Sequence, residues 1–277
     1  MQSNKLIVNG VDVFDAFGIY IPNGGYNSLI TYAPSKKIKF NDWHEENGIE
    51  IFNNNVKLDK KIVHIQFISA KGRDGLLNFF DFLSCDNSYS LFYFKSIDRK
   101  YKLRIKEFKR INGCGDLFFA QIEFLDDFPF LDNYVYNNPL SNIIENDKNK
   151  IYQNKLSDYG VIILDGTTNE ILFRRKIREN LLKDASNKNG VFYDSNFIRY
   201  ENKDIIINCL MRADNLQEFW NNYDALLFDL CRNDLTPFWF GDISVGFYGR
   251  YKYCTVYEFI TYEKIWFKFS LKITFVK

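Results

Sequence analysis

The chain has 277 residues, 46% of them hydrophobic and 26% charged, with a net charge of +1. That composition excludes a disordered chain, and a balance so near zero excludes a large single-sign field for the whole molecule. No apolar run approaches the roughly 18 residues of a membrane-spanning helix. The opening "MQSNKLIVNGVDVF" lacks the basic start and apolar core of a signal peptide, so none is expected. The five cysteines (85, 114, 209, 231 and 254) are odd in number and far apart, which predicts reduced, mostly buried thiols and no disulfide framework.

Along the chain, "NDWHEENGIEI" (41–51) gathers Asp42, His44, Glu45 and Glu46. His44-Glu45 begins like the zinc motif H-E-x-x-H, but the second histidine would fall at 48, which is Gly48. Asn41 and Gly48 suit a loop, and adjacent Glu45 and Glu46 would point to opposite faces of a strand. A solvated turn with Trp43 packed underneath, leading into a strand near Ile49, is expected. Residues 62–69, "IVHIQFIS", read as a strand covered on both sides. A helix follows near 75–84, with Asp74 as its cap and Leu77, Phe80 and Leu83 inward. "SLFYF", "KYKLRI" and "LFFAQIEF" alternate as strands, and "NGCGD" (112–116) reads as a hairpin turn. The stretch 133–157 is rich in Asn, Asp and Lys, which places a linker at 136–157.

The second half repeats this order. "CDNSYSLFYF" lies on "CRNDLTPFWF" without a gap, Cys85 standing 146 positions before Cys231. "NGIEI" resembles "NGVFY" at an offset of 142, "HIQFISA" resembles "INCLMRA" at 143, and "FFAQIEF" resembles "FSLKITF" at 151. A slowly drifting offset is the mark of duplication with small insertions. A period near 140 lies far above the ~20–50 residues of solenoid repeats, so two tandem domains are expected, at 1–135 and 158–277. The helix of the second copy is expected near 215–231, capped by Asp214 with Gln217 at its third position and longer than the first by three residues. Leu216, Phe219, Trp220, Tyr223, Leu226, Leu227 and Leu230 form its apolar face. The fold class is mainly β: two antiparallel β-sandwich or barrel domains of similar fold, each with one flanking helix.

Chemical signatures are sparse. No Walker A, G-x-G-x-x-G, G-x-S-x-G or C-x-x-C pattern occurs, and two histidines leave few candidates for a catalytic dyad. No enzyme, metal or cofactor is expected. The sharper feature is "KSIDRKYKLRIKEFKR" (95–110). As a strand it places Lys100, Lys102, Arg104 and Lys106 on one face and Tyr101, Leu103 and Ile105 on the other. Such a face either discourages edge pairing or makes an interface or channel contact with nucleic acid or an acidic subunit. The first 140 residues hold 17 basic and 17 acidic side chains, which does not favour a general DNA-binding protein.

From "LIVNGVDVFDAFGIYI" through "KFNDWHEENGIEI" to "FFDFL" and "YKLRI", the first copy resembles phage tail proteins of the distal-tail and tail-tube type. The resemblance implies a virion tail protein, made in the bacterial cytoplasm, without cofactor or membrane. It implies self-association into a ring between tail tube and baseplate, as a hexamer or as a trimer of two-domain chains. Neighbouring tail and baseplate proteins and transient DNA passage are the implied partners. Distal-tail proteins often carry a different, carbohydrate-binding-like C-terminal domain, where this chain repeats the first. A tandem binding module for glycans is the alternative.

Overall fold

The computed structural model describes residues 6–276 except 23, 26, 53–54, 86–88, 116, 131–133, 143–147, 179–182, 185 and 193–197. It holds two seven-stranded antiparallel sheets, each curled into a half-barrel. In chain order the first half forms β1 (Leu6–Val8), β2 (Val11–Asp12), α1 (Val13–Phe17), β3 (Ile19–Tyr20) and α2 (Asn27–Ile30). β4 (Phe40–Asn41), β5 (Glu50–Ile51), β6 (Lys61–Ser69), α3 (Gly72–Ser84), β7 (Ser90–Phe94), β8 (Arg99–Cys114) and β9 (Leu117–Asp126) complete it. The second half forms β10 (Lys150–Ile151), β11 (Asn154–Lys155), a 3-10 turn (Leu156–Tyr159), β12 (Val161–Ile163) and α4 (Thr167–Leu172). Then come β13 (Lys183–Asp184), β14 (Val191–Phe192), β15 (Lys203–Ala213), α5 (Leu216–Cys231), β16 (Thr236–Phe240), β17 (Val245–Ile260) and β18 (Ile265–Phe275).

The sheet orders are β2-β1-β7-β8-β9-β6-β3 and β11-β10-β16-β17-β18-β15-β12, so each strand of one has its counterpart in the other. The hairpins β4–β5 and β13–β14 stand apart from both sheets. Left-handed backbone recurs at matching places: Asn9 and Tyr152, Gly18 and Gly160, Gly24 and Gly166, Gly48 and Gly190, Asp98 and Ser244. A left-handed residue costs an L side chain about 1–2 kcal/mol, so these positions mark turns the architecture requires. Lys61 and Lys203 also correspond. Lys61 Nζ donates to the carbonyls of Leu29 (2.7 Å) and Thr31 (3.0 Å). Lys203 Nζ donates to those of Ile171 (3.2 Å) and Phe173 (2.6 Å). Each ammonium satisfies open carbonyls at the end of a short helix, α2 or α4.

The chain divides into two compact units that do not follow its halves. Unit 1 comprises Met1–Pro34, Leu58–Val135 and Thr255–Phe267; unit 2 comprises Ser35–Lys57, Tyr136–Cys254 and Lys268–Lys277. The core of unit 1 is aromatic. Phe67, Phe79, Phe92 and Phe124 are all fully buried, with Phe67 5.2 Å from Phe79 and Phe92 5.1 Å from Phe124 between ring centroids. Such ring pairs add about 0.5–1.5 kcal/mol each beyond their buried area.

Several local expectations are corrected. β6 alternates strictly over its first seven residues, with Ile62 and His64 outward, so it is covered on one face there and not on both. α3 begins at Gly72 after an N-cap at Lys71; Asp74 sits in its first turn, and Leu76 and Phe79 point inward where Leu77 is half-exposed. α5 is capped by Asn215, whose side chain accepts from the Glu218 amide (2.9 Å), one residue later than expected. The expected length difference holds: α5 has 16 residues and α3 has 13. Cys85 and Cys114 are exposed, so the thiols are free but not mostly buried.

The stretch 136–157, read as a linker, carries structure in its described part; 143–147 lie outside the described residues. β10 joins the sheet beside β16. Leu140 is clasped through its backbone by the Asn222 side chain, accepting at 3.0 Å and donating at 3.1 Å. Tyr136 (2.8 Å) and Tyr159 donate their hydroxyls to Asp229, which is fully buried on α5, and Arg232 Nη1 lies 3.2 Å from its other oxygen. Burial, then the bond to Asp229, pushes the Tyr159 phenol far above its ordinary value. Composition concealed this because polar residues that look solvated are satisfied by one another here.

Asp229→Ala therefore destabilises unit 2 by about 3 kcal/mol, because it leaves two phenols and a guanidinium without their acceptor. Tyr136→Phe costs about 1 kcal/mol. Urea unfolding followed by circular dichroism measures both.

Candidate functional site

The four cations of the basic row lie on β8. Its partner β7 pairs Lys100 with Tyr93 and Lys102 with Leu91 across the ladder. Lys100 Nζ stands 5.6 Å from the centre of the Tyr93 ring, and Lys102 Nζ 4.9 Å from that of Tyr89 and 5.3 Å from that of Phe128. An ammonium over an aromatic face gains about 0.5–1 kcal/mol at an exposed site. Arg104 grips Asp127 with both arms of its guanidinium, Nε to Oδ2 at 2.5 Å and Nη2 to Oδ1 at 3.4 Å. The hydrogen bond from Arg104 is the main reason the Asp127 carboxyl lies below its ordinary range. Lys106 donates to Glu123 on β9.

Beyond Ile105 the two-residue period breaks. Register shifts between Ile105 and Glu107 and between Phe108 and Arg110 leave Lys106 and Lys109 unpaired in the ladder as bulge residues. Both turn onto Glu123, Lys109 at 2.5 Å. Hydrogen bonds from Lys106 and Lys109 outweigh burial and bring the Glu123 carboxyl down to about 2. Unit 2 holds a similar cluster, in which Asp204 receives Lys252 (2.8 Å) and Thr274 (2.6 Å), with Lys272 at 3.4 Å. Burial pushes Asp204 up, and those hydrogen bonds pull it below its ordinary value. The row thus splits: Arg104 and Lys106 are ion-paired, while Lys100 and Lys102 rest on aromatic rings and keep their charge. Sequence parity found the four residues and missed their partners, because Asp127 and Glu123 lie on another strand.

The stretch 41–51 belongs to unit 2. Asp42 pairs with Arg178 at 2.5 Å, and Arg178 is 5% exposed. Trp43 is 50% exposed and not packed underneath; its indole donates to Glu50 at 2.8 Å, beside Asn41 at 3.3 Å. Gly48 is buried at φ +74, and a Cβ there would stand 1.9 Å from the Val276 carbonyl oxygen. Its N–H donates to the Tyr200 carbonyl (2.8 Å), the Asn47 side chain accepts from the Tyr200 N–H (2.9 Å), and Arg199 Nε donates to the Glu45 carbonyl (2.6 Å). Asp42 and Asn47 through their side chains, and Glu45 and Gly48 through their backbones, therefore do docking chemistry. Glu45, Glu46 and Asn47 face Arg175, Arg199 and Tyr200 across an open depression of about 940 Å³. Among the described residues no three His, Cys, Asp or Glu side chains converge to hold a metal.

A smaller hollow in unit 2, about 310 Å³, is lined by Asn149, Asp165, Asn169 and Asp242 with one aromatic ring, Phe240. A sugar site stacks its ligand on Trp or Tyr faces, and this hollow supplies neither. "NGCGD" lies at the tip between β8 and β9, with Gly115 at φ +61. No helix among the described residues is long and apolar enough to cross a membrane.

No protein-family model matches this sequence, and neither does any curated protein. Among solved structures the chain is similar to the SPP1 Dit (gp 19.1) protein, described as a paradigm of the hub adsorption apparatus in Gram-positive infecting phages. The TM-score is 0.33 at 14% identity, over 45% of this chain and 50% of that one. A likeness at that level leaves the function to be argued from this chain's own residues.

The Glu123 cluster sets a pH dependence. Its carboxyl is lowered from an ordinary 4.5 to about 2 on folding. The stabilisation it brings is complete above 4.5 and is lost as pH falls through 2. Glu123→Gln should flatten the loss of stability of unit 1 across that window, and acid titration of the urea midpoint reads it.

Proposed function

We propose that this chain is a non-enzymatic structural component of a phage or prophage tail that joins or forms a ring at the junction of tail tube and baseplate. The observation that carries the reading is the element-for-element repetition: two sheets of one strand order, with left-handed residues and lysine-capped short helices at matching positions. We read this as a duplicated module. A module that meets its own copy by a heterologous contact inside the chain can repeat that contact between chains, and a repeated heterologous contact closes a ring when the rotation per step divides a full turn. Two modules per chain make three chains a pseudo-sixfold ring; six chains with one module each in the ring is the other arrangement.

Apolar exposure supports an assembled state. On the β8–β9 hairpin Phe108 (39%), Ile111 (50%), Leu117 (40%) and Phe119 (39%) all stand in solvent in the single chain. By the ladder register Phe108 and Ile111 lie on one face of the hairpin and Leu117 and Phe119 on the other, and large apolar side chains exposed on both faces suit an element that is covered in an assembly. The paired cations of β8 suit a protein interface better than a phosphate track, since binding nucleic acid draws on cations free to replace counterions.

Fractionation of purified particles of the phage that encodes this chain, with immunogold labelling, tests the reading. The chain should co-purify with tails and label the tail–baseplate junction, at three or six copies per particle. Absence from the tails, or label confined to the capsid, overturns it.

A further inference from the structure

Arg175 is a charge that the repeat does not demand. The Lys36 N–H donates to the Lys57 carbonyl (2.7 Å), as the Arg178 N–H does to that of Arg199 (2.8 Å), which fixes an offset of 142 here. The counterpart of Arg175 is then Ala33, which is buried. One copy builds this place with a methyl group, so the guanidinium of the other is not needed to form it. Arg175 is half-buried, and among the described residues it has no hydrogen-bonding or ionic partner. Burial alone holds it below its ordinary value, with no carboxylate opposing. Burial likewise lowers the nearby Lys203 ammonium, and Arg175 adds to that lowering against the pull of Glu170. Lys203 is already engaged by the carbonyls of Ile171 and Phe173. A desolvated guanidinium beside a second cation lacks an anion.

The place is open to receive one. Arg175 lines the depression of about 940 Å³ in unit 2 with Arg199, Tyr200, Asn47, Glu45 and Glu46. Arg199 is fixed there, its Nε on the Glu45 carbonyl (2.6 Å) and its Nη1 on the Ile198 carbonyl (3.1 Å). Tyr200 is 38% exposed, and among the described residues its hydroxyl has no partner. Across the depression Glu45 and Glu46 are exposed, and neither carboxylate has a partner among the described residues. Their counterparts in the repeat are Asn187 and Lys188, so the acids, like Arg175, belong to one copy only.

We infer that this depression docks a peptide segment of another protein in which Asp or Glu stands next to Lys or Arg. The carboxylate meets Arg175, beside Arg199 and Tyr200, and the cation meets Glu45 and Glu46. Charge complementarity selects this occupant. Two carboxylates on one side repel a dianion such as phosphate, whereas a monoanion with a neighbouring cation satisfies both sides. Breadth selects it too. A small-molecule pocket is mostly apolar and buries most of its ligand, and this depression is open and lined by polar and charged groups. The docking site stands whether or not the chain enters a ring.

The test is nuclear magnetic resonance of the isotope-labelled chain at low salt, following the arginine Nε–Hε signals. Arg175 is assigned by the signal missing from Arg175→Ala. The probe is the blocked peptide acetyl-Gly-Asp-Lys-Gly-amide. It should shift the Arg175 signal along a saturating curve, with an affinity at least about tenfold above those of acetyl-Gly-Asn-Lys-Gly-amide and inorganic phosphate. Arg175→Ala copies Ala33, so it should abolish the peptide's effect on Arg199 and leave the urea midpoint unchanged or raised. Glu45→Gln together with Glu46→Gln should erase the preference for peptide over phosphate. No saturable shift, an equal response to the Asn peptide, or tighter binding of phosphate overturns the inference. A lowered midpoint in Arg175→Ala also overturns it, because the guanidinium would then be serving the fold. A preference that survives loss of both acids removes the part assigned to them.

Discussion

Gly48 has no side chain, and the Val276 carbonyl oxygen lies 1.9 Å from where a Cβ would be. The seat of the 35–57 arm in unit 2 depends on that space. Once the backbone can approach, Tyr200 exchanges hydrogen bonds with Gly48 and Asn47, and Arg178 can be buried against the Asp42 carboxylate. A buried guanidinium without its carboxylate costs several kcal/mol, so the glycine and the ion pair enforce each other. The consequence reaches the domain layout. A segment that sequence order places in the first half is part of the second unit, and Thr255–Phe267 of the second half is part of the first.

The same logic of close approach explains why the two sheets agree most closely at particular positions. Left-handed positions where a Cβ would meet the backbone, such as Gly48 and Gly160, and lysines that satisfy helix-end carbonyls, tolerate few substitutes, whereas Asn9 and Tyr152 show that an open left-handed turn accepts others. Strand surfaces accept any apolar residue of suitable size. Lys61 and Lys203 thus match in role, as Gly18 matches Gly160, while the strands between them share little beyond pattern.

Much of the architecture was legible. The offsets aligned the two copies, the difference of three residues in helix length was readable from their drift, and the hairpin at Gly115 followed from its glycines. Four things were not. Helix caps slipped, by three residues at α3 and by one at α5, because Asp74, Asp214 and Asn215 all suit a cap, and only the chain path into the helix decides where it starts. The ordered path of 136–142 was hidden because Asn222 and Asp229 read as solvent-facing, when their partners lie more than 65 residues away in sequence. The basic row of Lys100, Lys102, Arg104 and Lys106 was visible as a period of two, but the pairing of Arg104 with Asp127 and of Lys106 with Glu123 is a property of the sheet and its bulges. The docking role of 41–51 was hidden for the same reason, although the returning Asn-Gly dipeptide was the available signal.

Amide hydrogen exchange on the dilute chain tests the central claim, that the 35–57 arm is seated in unit 2 through Gly48. The hydrogen-bonded amides of Gly48 and Tyr200 should exchange as slowly as the neighbouring strands of unit 2. Exchange of both amides at open-loop rates would contradict it.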